Sequence, residues 1–158
     1  MFFFIYYSGV SNFGVEHLDA LKNSGRPMPQ VNQIQLHPWW RLQRIVDWCK
    51  ENNVAVMGYS PLARCHTFGH PLLVQLAKNY NKSPAQILIR WSLQKGFVTI
   101  PKSNRSERID ENVDVFDFEI CDEDMDKFEQ LFETGEQINV CKSDPTNNDM
   151  VTKFGPLI

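Results

Sequence analysis

Cysteine is scarce: Cys49, Cys65, Cys121 and Cys141 stand far apart in 158 residues and form no CxxC pair. That spacing argues against a disulfide scaffold and against a zinc finger, and it suits a reducing, cytoplasmic setting. Long apolar runs are also lacking. The most apolar stretch, Met1 to Tyr7, is far shorter than the ~20 residues a membrane-spanning helix needs. It has no basic leader and no small-residue cleavage site, so it reads as a buried strand and not as a secretory signal. Without such a signal, the sequons Asn81-Lys82-Ser83 and Asn104-Arg105-Ser106 carry no glycosylation reading. There is no surplus of positive charge: 16 Lys+Arg face 19 Asp+Glu, for a net charge of −3. A nucleic-acid partner is therefore not expected, although a local cationic pocket is. Low-complexity stretches and sharp linkers are missing too, and a length near ~150 residues predicts one domain, over 1–158. What is present is globular. Apolar residues make up 42% and charged residues 22%, enough for a sizeable core.

Short apolar runs alternate with helical periodicity. Phe2 to Val10 reads as a strand, followed by Val15, Leu18 and Leu21 at helical spacing, with Gly25 as a stop. Val31 to Leu36 is a second strand. Leu42, Ile45, Val46 and Cys49 share one face of a second helix, and Val54 to Tyr59 is a third strand. Leu72, Leu73, Leu76 and Ala77 form a helical stripe. Ser83-Pro84-Ala85-Gln86 then supplies an N-cap, a proline at the first helical position and a capping-box partner. The helix behind it (Ile87, Leu88, Ile89, Trp91, Leu93) is apolar on most sides and should be deeply buried. Gly96 ends it, and Phe97 to Ile100 is the fourth strand. A short helix spans Ser106 to Val113. Asp122, Glu123 and Asp124 load the first turn of a last helix, where the dipole favours negative charge. Met125, Phe128, Leu131 and Phe132 are its core stripe, and 139–158 is a polar tail. Such alternation implies parallel strands joined by right-handed crossovers.

In parallel α/β folds, ligands bind beyond the carboxyl ends of the strands. The residues read there are Ser11-Asn12-Phe13, Asn32-Gln33, Tyr59-Ser60-Pro61-Leu62 and Pro101-Lys102-Ser103. They contain amides, hydroxyls, a tyrosine and a lysine, but no obvious acid/base pair. The set suits a polar ligand cradle better than a hydrolytic site.

Four motifs follow in order: Gly9-Val10-Ser11-Asn12-Phe13, Val31-Asn32-Gln33-Ile34-Gln35-Leu36-His37-Pro38, Gly58-Tyr59-Ser60-Pro61-Leu62 and Ile100-Pro101-Lys102-Ser103, with Arg108 to Asn112 extending them. Together, over Gly9 to Phe132, they resemble the second half of an aldo-keto reductase. The resemblance implies an α/β fold: a partial TIM (β/α)8 barrel of about four strand–helix units plus a C-terminal tail. It implies NADPH as cofactor and a small-molecule carbonyl as substrate, reduced to an alcohol by hydride transfer. Ser11, Asn12 and Gln33 would bind the nicotinamide carboxamide, whose donor and acceptor both suit amides and hydroxyls. Tyr59 would stack on the nicotinamide ring. Ser60 and Leu62 would line the pyrophosphate. Lys102, Ser103 and Arg108 would hold the 2′-phosphate, and Glu111 and Asn112 would reach the adenine.

Each position also has a plainer reading. Tyr59 could be a core aromatic, Ser11 and Asn12 an ordinary N-cap, Gln33 a satisfied rim amide, and Lys102 and Arg108 a solvated helix face. Cys65, His66 and His70 read as a loop, not as a metal site, because nothing completes a ligand set. His37 reads as structural, ending its strand, and the four thiols as inert. One of Trp39 and Trp40 is expected to wall a substrate pocket, the alternative being packing between barrel and helix.

A whole barrel takes about 250 residues. The family's proton-donating tyrosine and its lysine, aspartate and histidine partners belong to the first half of the pattern, and no catalytic residue is assigned here. Tyr6 and Tyr7 stand in the wrong context, and Lys102 belongs to the phosphate pocket. The Phe2 to Tyr7 stretch, more apolar than the family's strand, suggests a truncated product or an incomplete gene model. The chain alone is then expected to reduce carbonyls slowly or not at all. The alternative is a non-catalytic NADPH- or partner-binding module on a relic barrel. Open sheet edges predict self-association or pairing with a complementary half.

Overall fold

The computed structural model describes residues 7–141. Its elements are β1 (Gly9–Ser11), α1 (Val15–Asn23), β2 (Val31–Gln35), α2 (Gln43–Glu51), β3 (Ala55–Tyr59), a 3-10 turn (Ala63–Cys65), α3 (Pro71–Asn79), α4 (Pro84–Gln94), β4 (Val98–Thr99), α5 (Ser106–Val113) and α6 (Asp122–Glu133). The four strands form one sheet in the order β1-β2-β3-β4. β1 and β2 are parallel, with Gly9 opposite Val31 and Ser11 opposite Gln33. Ala55 donates its N–H to the Gln30 carbonyl (2.9 Å) and Leu36 to that of Tyr59 (3.2 Å). These bonds advance together along β2 and β3, as parallel pairing requires. Ile100 donates to the Gly58 carbonyl (3.3 Å) and ties β4 to β3. Spatial order equals chain order and each crossover carries a helix, as in successive units of a (β/α)8 barrel.

Within the described residues the chain forms two compact units. Unit 1 comprises 7–34, 42–57 and Cys141; unit 2 comprises Gln35–Arg41 and Gly58–Val140.

In unit 1, Leu18 of α1 and Ile45, Val46 and Cys49 of α2 are buried with Ile34, Val54 and Val56. Leu42, expected in the helical stripe, instead caps α2 in the left-handed region (φ 50). The first strand is shorter than the apolar run predicts: Tyr7 and Ser8 lie outside β1, and Tyr7 is exposed. Phe2 to Tyr6 lie outside the described residues, as do 142–158 of the predicted tail. Gly25 stops α1 with φ +71, a conformation that residues bearing a Cβ avoid.

Unit 2 holds the larger core. Trp39, Leu73, Leu76, Ile87, Leu88, Trp91, Ile120 and Phe128 cluster there with almost no exposure. α4 is the central helix, and its capping box is complete. Gln86 N–H donates to Ser83 Oγ (3.3 Å), and Ser83 N–H donates to Gln86 Oε1 (2.9 Å). Arg41 is buried beside this core. Its guanidinium bonds to Glu129 and to the carbonyls of Phe128 and Pro38, and it lies over the Trp91 ring. Burial pulls its pKa down, and the Glu129 carboxylate opposes that.

Strand residues alternate in direction, so each unit shows two sheet faces. In unit 1, Asn32, Ile34, Val54 and Val56 are buried, whereas Ser11, Gln33, Ala55 and Met57 on the other face keep contact with water. In unit 2, Leu36 and Gly58 are buried, whereas Tyr59, Val98 and Ile100 are half-buried or exposed.

Candidate functional site

The site in unit 2 begins where β3 ends. After Tyr59 the chain turns through Ser60-Pro61-Leu62 into the Ala63–Cys65 turn. Ser60, Ala63, Arg64 and Cys65 all have φ between 46 and 64. That region is costly for residues with a Cβ, and such conformations gather at ligand-holding loops. The curl is fixed by bonds from Ala63 N–H to the Ser60 carbonyl (2.9 Å) and from Cys65 N–H to the Leu62 carbonyl (2.8 Å).

Two cavities open on this loop. One, of about 220 Å³, is lined by Leu62, Cys65, Phe68, Ser83, Ala85, Lys102, Ser103, Arg108, Glu111 and Asn112. The other, of about 320 Å³, is lined by Ser60, Pro61, Leu62, Arg64, Cys65, Ile100 and Lys102. They share Leu62, Cys65 and Lys102 and so adjoin. Each alone is at or below the small end of ligand pockets, roughly 300 Å³, but together they suit an elongated ligand.

The charge of the lining is lopsided. Arg64, Lys102 and Arg108 face one carboxylate, Glu111. Two helix starts contribute as well: Ser83 and Ala85 at the head of α4, and Ser103 just before α5. The dipole at such ends favours anions, although at α4 Pro84 has no N–H and the Gln86 N–H is already taken by Ser83 Oγ. The Ser103 hydroxyl is poised by its own turn, accepting from Arg105 N–H (3.1 Å) and donating to the Arg105 carbonyl (3.3 Å). On α5, Arg108, Glu111 and Asn112 fall on one face by their i, i+3, i+4 spacing, and Asn112 is buried. The arrangement can hold an extended, multiply charged anion.

Seven residues singled out from sequence thus meet in unit 2: Ser60, Leu62, Lys102, Ser103, Arg108, Glu111 and Asn112. Tyr59 directly precedes them and is half-buried, lining neither cavity. Ser11, Asn12 and Gln33 come together in unit 1. Ser11 Oγ donates to the Gln33 carbonyl (3.1 Å), Asn12 N–H donates to the same carbonyl (2.8 Å), and Gln33 Nε2 reaches Met57 Sδ (3.2 Å). Gln33 was expected at a strand end but sits at the centre of β2. It stands beside Ser11 because β1 pairs there.

Sequence reasoning read Asn32 only as a polar rim residue and missed Arg64. Asn32, fully buried, donates from Nδ2 to the Phe13 carbonyl (2.9 Å) and accepts from Phe13 N–H (3.4 Å). It clasps the turn that carries Ser11 and Asn12. Arg64 is a cation two residues past the Ser60–Leu62 stretch, which was a readable signal.

Packing places the remaining residues. Trp39 is fully buried, edge-on to Phe128 (6.2 Å) and His70 (5.3 Å), and so belongs to the core. Trp40 is half-buried and lines neither cavity. His70 caps α3, its Nδ1 accepting from Leu72 N–H (3.2 Å). No group of three His, Cys, Asp or Glu residues among the described residues could hold a metal. His37 is buried, against Gln35 (3.1 Å), and burial lowers its pKa to about 4. Burial raises the Cys49 thiol's pKa, against the opposing pull of Asn32. None of the described helices is long and apolar enough to cross a membrane.

A family model described as "Aldo/keto reductase family" matches residues 4–70 and 65–133. An uncharacterized oxidoreductase of Schizosaccharomyces pombe is 48% identical over 126 residues, covering 79% of this chain and 46% of that protein. The glyoxal reductase of Bacillus subtilis is 45% identical over 123 residues, covering 78% and 45%. Among solved structures, a Gox0644 mutant in complex with NADPH superposes with a TM-score of 0.79 at 33% identity, covering 88% of this chain and 50% of that one. The chain spans about half the length of the curated relatives it matches.

Proposed function

Because this chain belongs to the aldo/keto reductase family, we propose that it is the dinucleotide-holding part of an NADPH-dependent carbonyl reductase. The observation that carries the reading is the pair of adjoining cavities whose linings hold Arg64, Lys102 and Arg108, the last in the first turn of α5. The phosphates of NADPH ask for that chemistry: cations, a hydroxyl and a helix N-terminus.

Lys102, Ser103 and Arg108 take the 2′-phosphate in this reading. Ser60 and Leu62 line the pyrophosphate, and Glu111 and Asn112 meet the adenine. Tyr59 stacks on the nicotinamide, and Ser11, Asn12 and Gln33 of unit 1 bind its carboxamide. When bound, the reduced nicotinamide supplies a hydride to an aldehyde or ketone carbon. These residues hold and orient the dinucleotide and exclude water from its phosphates. They include no assigned proton donor, and a positioned acid contributes about 10²–10⁴-fold. The chain by itself is therefore expected to bind cofactor and turn over little, in the cytoplasm.

A titration tests this. The chain should bind NADPH more tightly than NADH, and Lys102→Ala and Arg108→Ala should each cost ~1.5–3 kcal/mol, roughly 10- to 150-fold. Affinities equal for the two dinucleotides and unmoved by both substitutions would overturn the assignment. Carbonyl reduction by the purified chain that Tyr59→Ala abolishes would overturn the low turnover and leave the cradle standing.

A further inference from the structure

Cys65 is exposed and lines both cavities of unit 2. The turn holds it in place: its N–H donates to the Leu62 carbonyl (2.8 Å), and its own carbonyl accepts from Phe68 N–H (3.3 Å). Arg64, Lys102 and Arg108 line the same space, with Glu111 as the one acid among the lining residues. Reactive thiols are the accessible ones in electropositive surroundings, whereas buried structural thiols are inert. The sequence alone reads Cys65 as inert, because the cations around it come together only in the fold.

A second observation points to an occupant of that space. Asn112 is only 9% exposed and lines the same cavity as Cys65, yet its side-chain amide has no hydrogen-bond partner among the described residues. Buried amides are normally paired, and one left open toward a cavity calls for a ligand that offers a donor and an acceptor. The other thiols stand differently. Cys49 is buried, and burial raises its pKa. Cys121 is exposed but opens α6 beside Asp122, Glu123 and Asp124, which repel an anion. Cys141 is half-buried and lines neither cavity.

We propose that Cys65 is a modification site for an anionic peptide disulfide, of the class of oxidised glutathione, and that the adduct closes this cradle. The carboxylates of the disulfide meet Arg64, Lys102 and Arg108, and its peptide amides meet Asn112. The Cys65 thiolate attacks one sulfur of the reagent. The reagent's S–S bond breaks, and a new S–S bond joins Cys65 to half of it. The other half leaves as a thiolate and takes up the proton that Cys65 lost. Cys65 is oxidised to the disulfide level and the departing half is reduced to a thiol, so the exchange needs no further oxidant. A thiol reductant reverses it. The adduct fills space assigned above to the phosphates, so the modified chain loses the dinucleotide. That consequence rests on the NADPH reading, whereas the exchange itself does not.

The test exposes the full chain to oxidised glutathione, an anion, and separately to cystamine, a cation. Peptide-mapping mass spectrometry reads the rate of adduct formation at each cysteine, with Cys121 as the standard within the same chain. The preference for the anionic reagent at Cys65 should exceed that at Cys121 by about tenfold or more at low salt, and the gap should narrow in high salt. Lys102→Ala combined with Arg108→Ala should remove most of the gap and leave Cys121 as it was. Circular dichroism checks that the variant is folded. A preference at Cys65 no greater than at Cys121, or one that the double substitution leaves unmoved, would overturn the proposal. NADPH affinity is the second readout. The glutathione-treated chain should bind more weakly by about tenfold or more, recover with a thiol reductant, and show no such loss as Cys65→Ser. Full affinity in the modified chain would overturn the closing of the cradle. An untreated chain that binds no NADPH refutes the dinucleotide reading, and the charge preference at Cys65 then decides the modification site by itself.

Discussion

His37 gives unit 2 a pH dependence that can be worked out atom by atom. The residue is fully buried and its Nε2 lies 3.1 Å from Gln35 Nε2. The Gln35 amide can meet a neutral ring in either sense, its nitrogen donating to Nε2 or, turned over, its oxygen accepting from Nε2–H. Protonation would place a charge in the core. Burial accordingly pushes the pKa from 6.5 to about 4. The folded state then binds fewer protons than the unfolded one between these values. The stability is complete above pH 6.5, declines as the pH falls, and levels off near pH 4. At ~1.4 kcal/mol per pH unit, the loss attributable to this ring is about 2 kcal/mol by pH 5 and about 3 kcal/mol at the limit. Urea denaturation of the wild type and of His37→Asn from pH 7.5 to pH 4.5 measures it. The difference in unfolding free energy between the two should change by that amount. The carboxylates held low by their partners, such as Asp117 by Lys82 and Glu129 by Lys95 and Arg41, contribute equally to both proteins and cancel. Parallel curves would refute the reasoning.

Two substitutions probe local structure. Asn32→Ala removes both bonds to Phe13 and leaves that backbone unsatisfied, so it should cost about 1–3 kcal/mol in denaturant. Amide exchange should speed up in the turn carrying Ser11 and Asn12. Ser83→Ala breaks one side of the α4 capping box and should cost about 1 kcal/mol, read as a lowered denaturation midpoint with an unchanged slope.

Where a position's job is set by its immediate neighbours in the chain, the sequence shows it. Ser83-Pro84-Ala85-Gln86 announces the cap of α4, Gly25 and Gly96 mark helix stops and adopt φ +71 and +79, and three acids open α6. Lys102, Ser103, Arg108, Glu111 and Asn112 could be grouped from sequence because they fall within one strand-to-helix turn and the helix it starts, and they line one cavity. Tertiary pairing was not legible in the same way. Gln33 reads as a strand tip but is mid-strand, since which residue of β2 meets Ser11 depends on register between chain segments far apart. Asn32 next to it looks like another polar rim residue, but strand alternation turns it inward to clasp Phe13. Two adjacent tryptophans cannot be told apart by composition, and Trp39 is drawn into the core by Phe128, which is distant in sequence. Ile109 and Val113 have helical apolar spacing, which normally means burial, and here they face water because α5 turns its polar side inward.

The phosphorus NMR spectrum of NADPH, titrated with the chain and with Lys102→Ala, tests the cofactor assignment most directly. The account predicts that the resonance of the 2′-phosphate shifts or broadens on binding and that Lys102→Ala largely restores its free position. A 2′-phosphate resonance unmoved by the wild-type chain at concentrations where the pyrophosphate signals respond would contradict it.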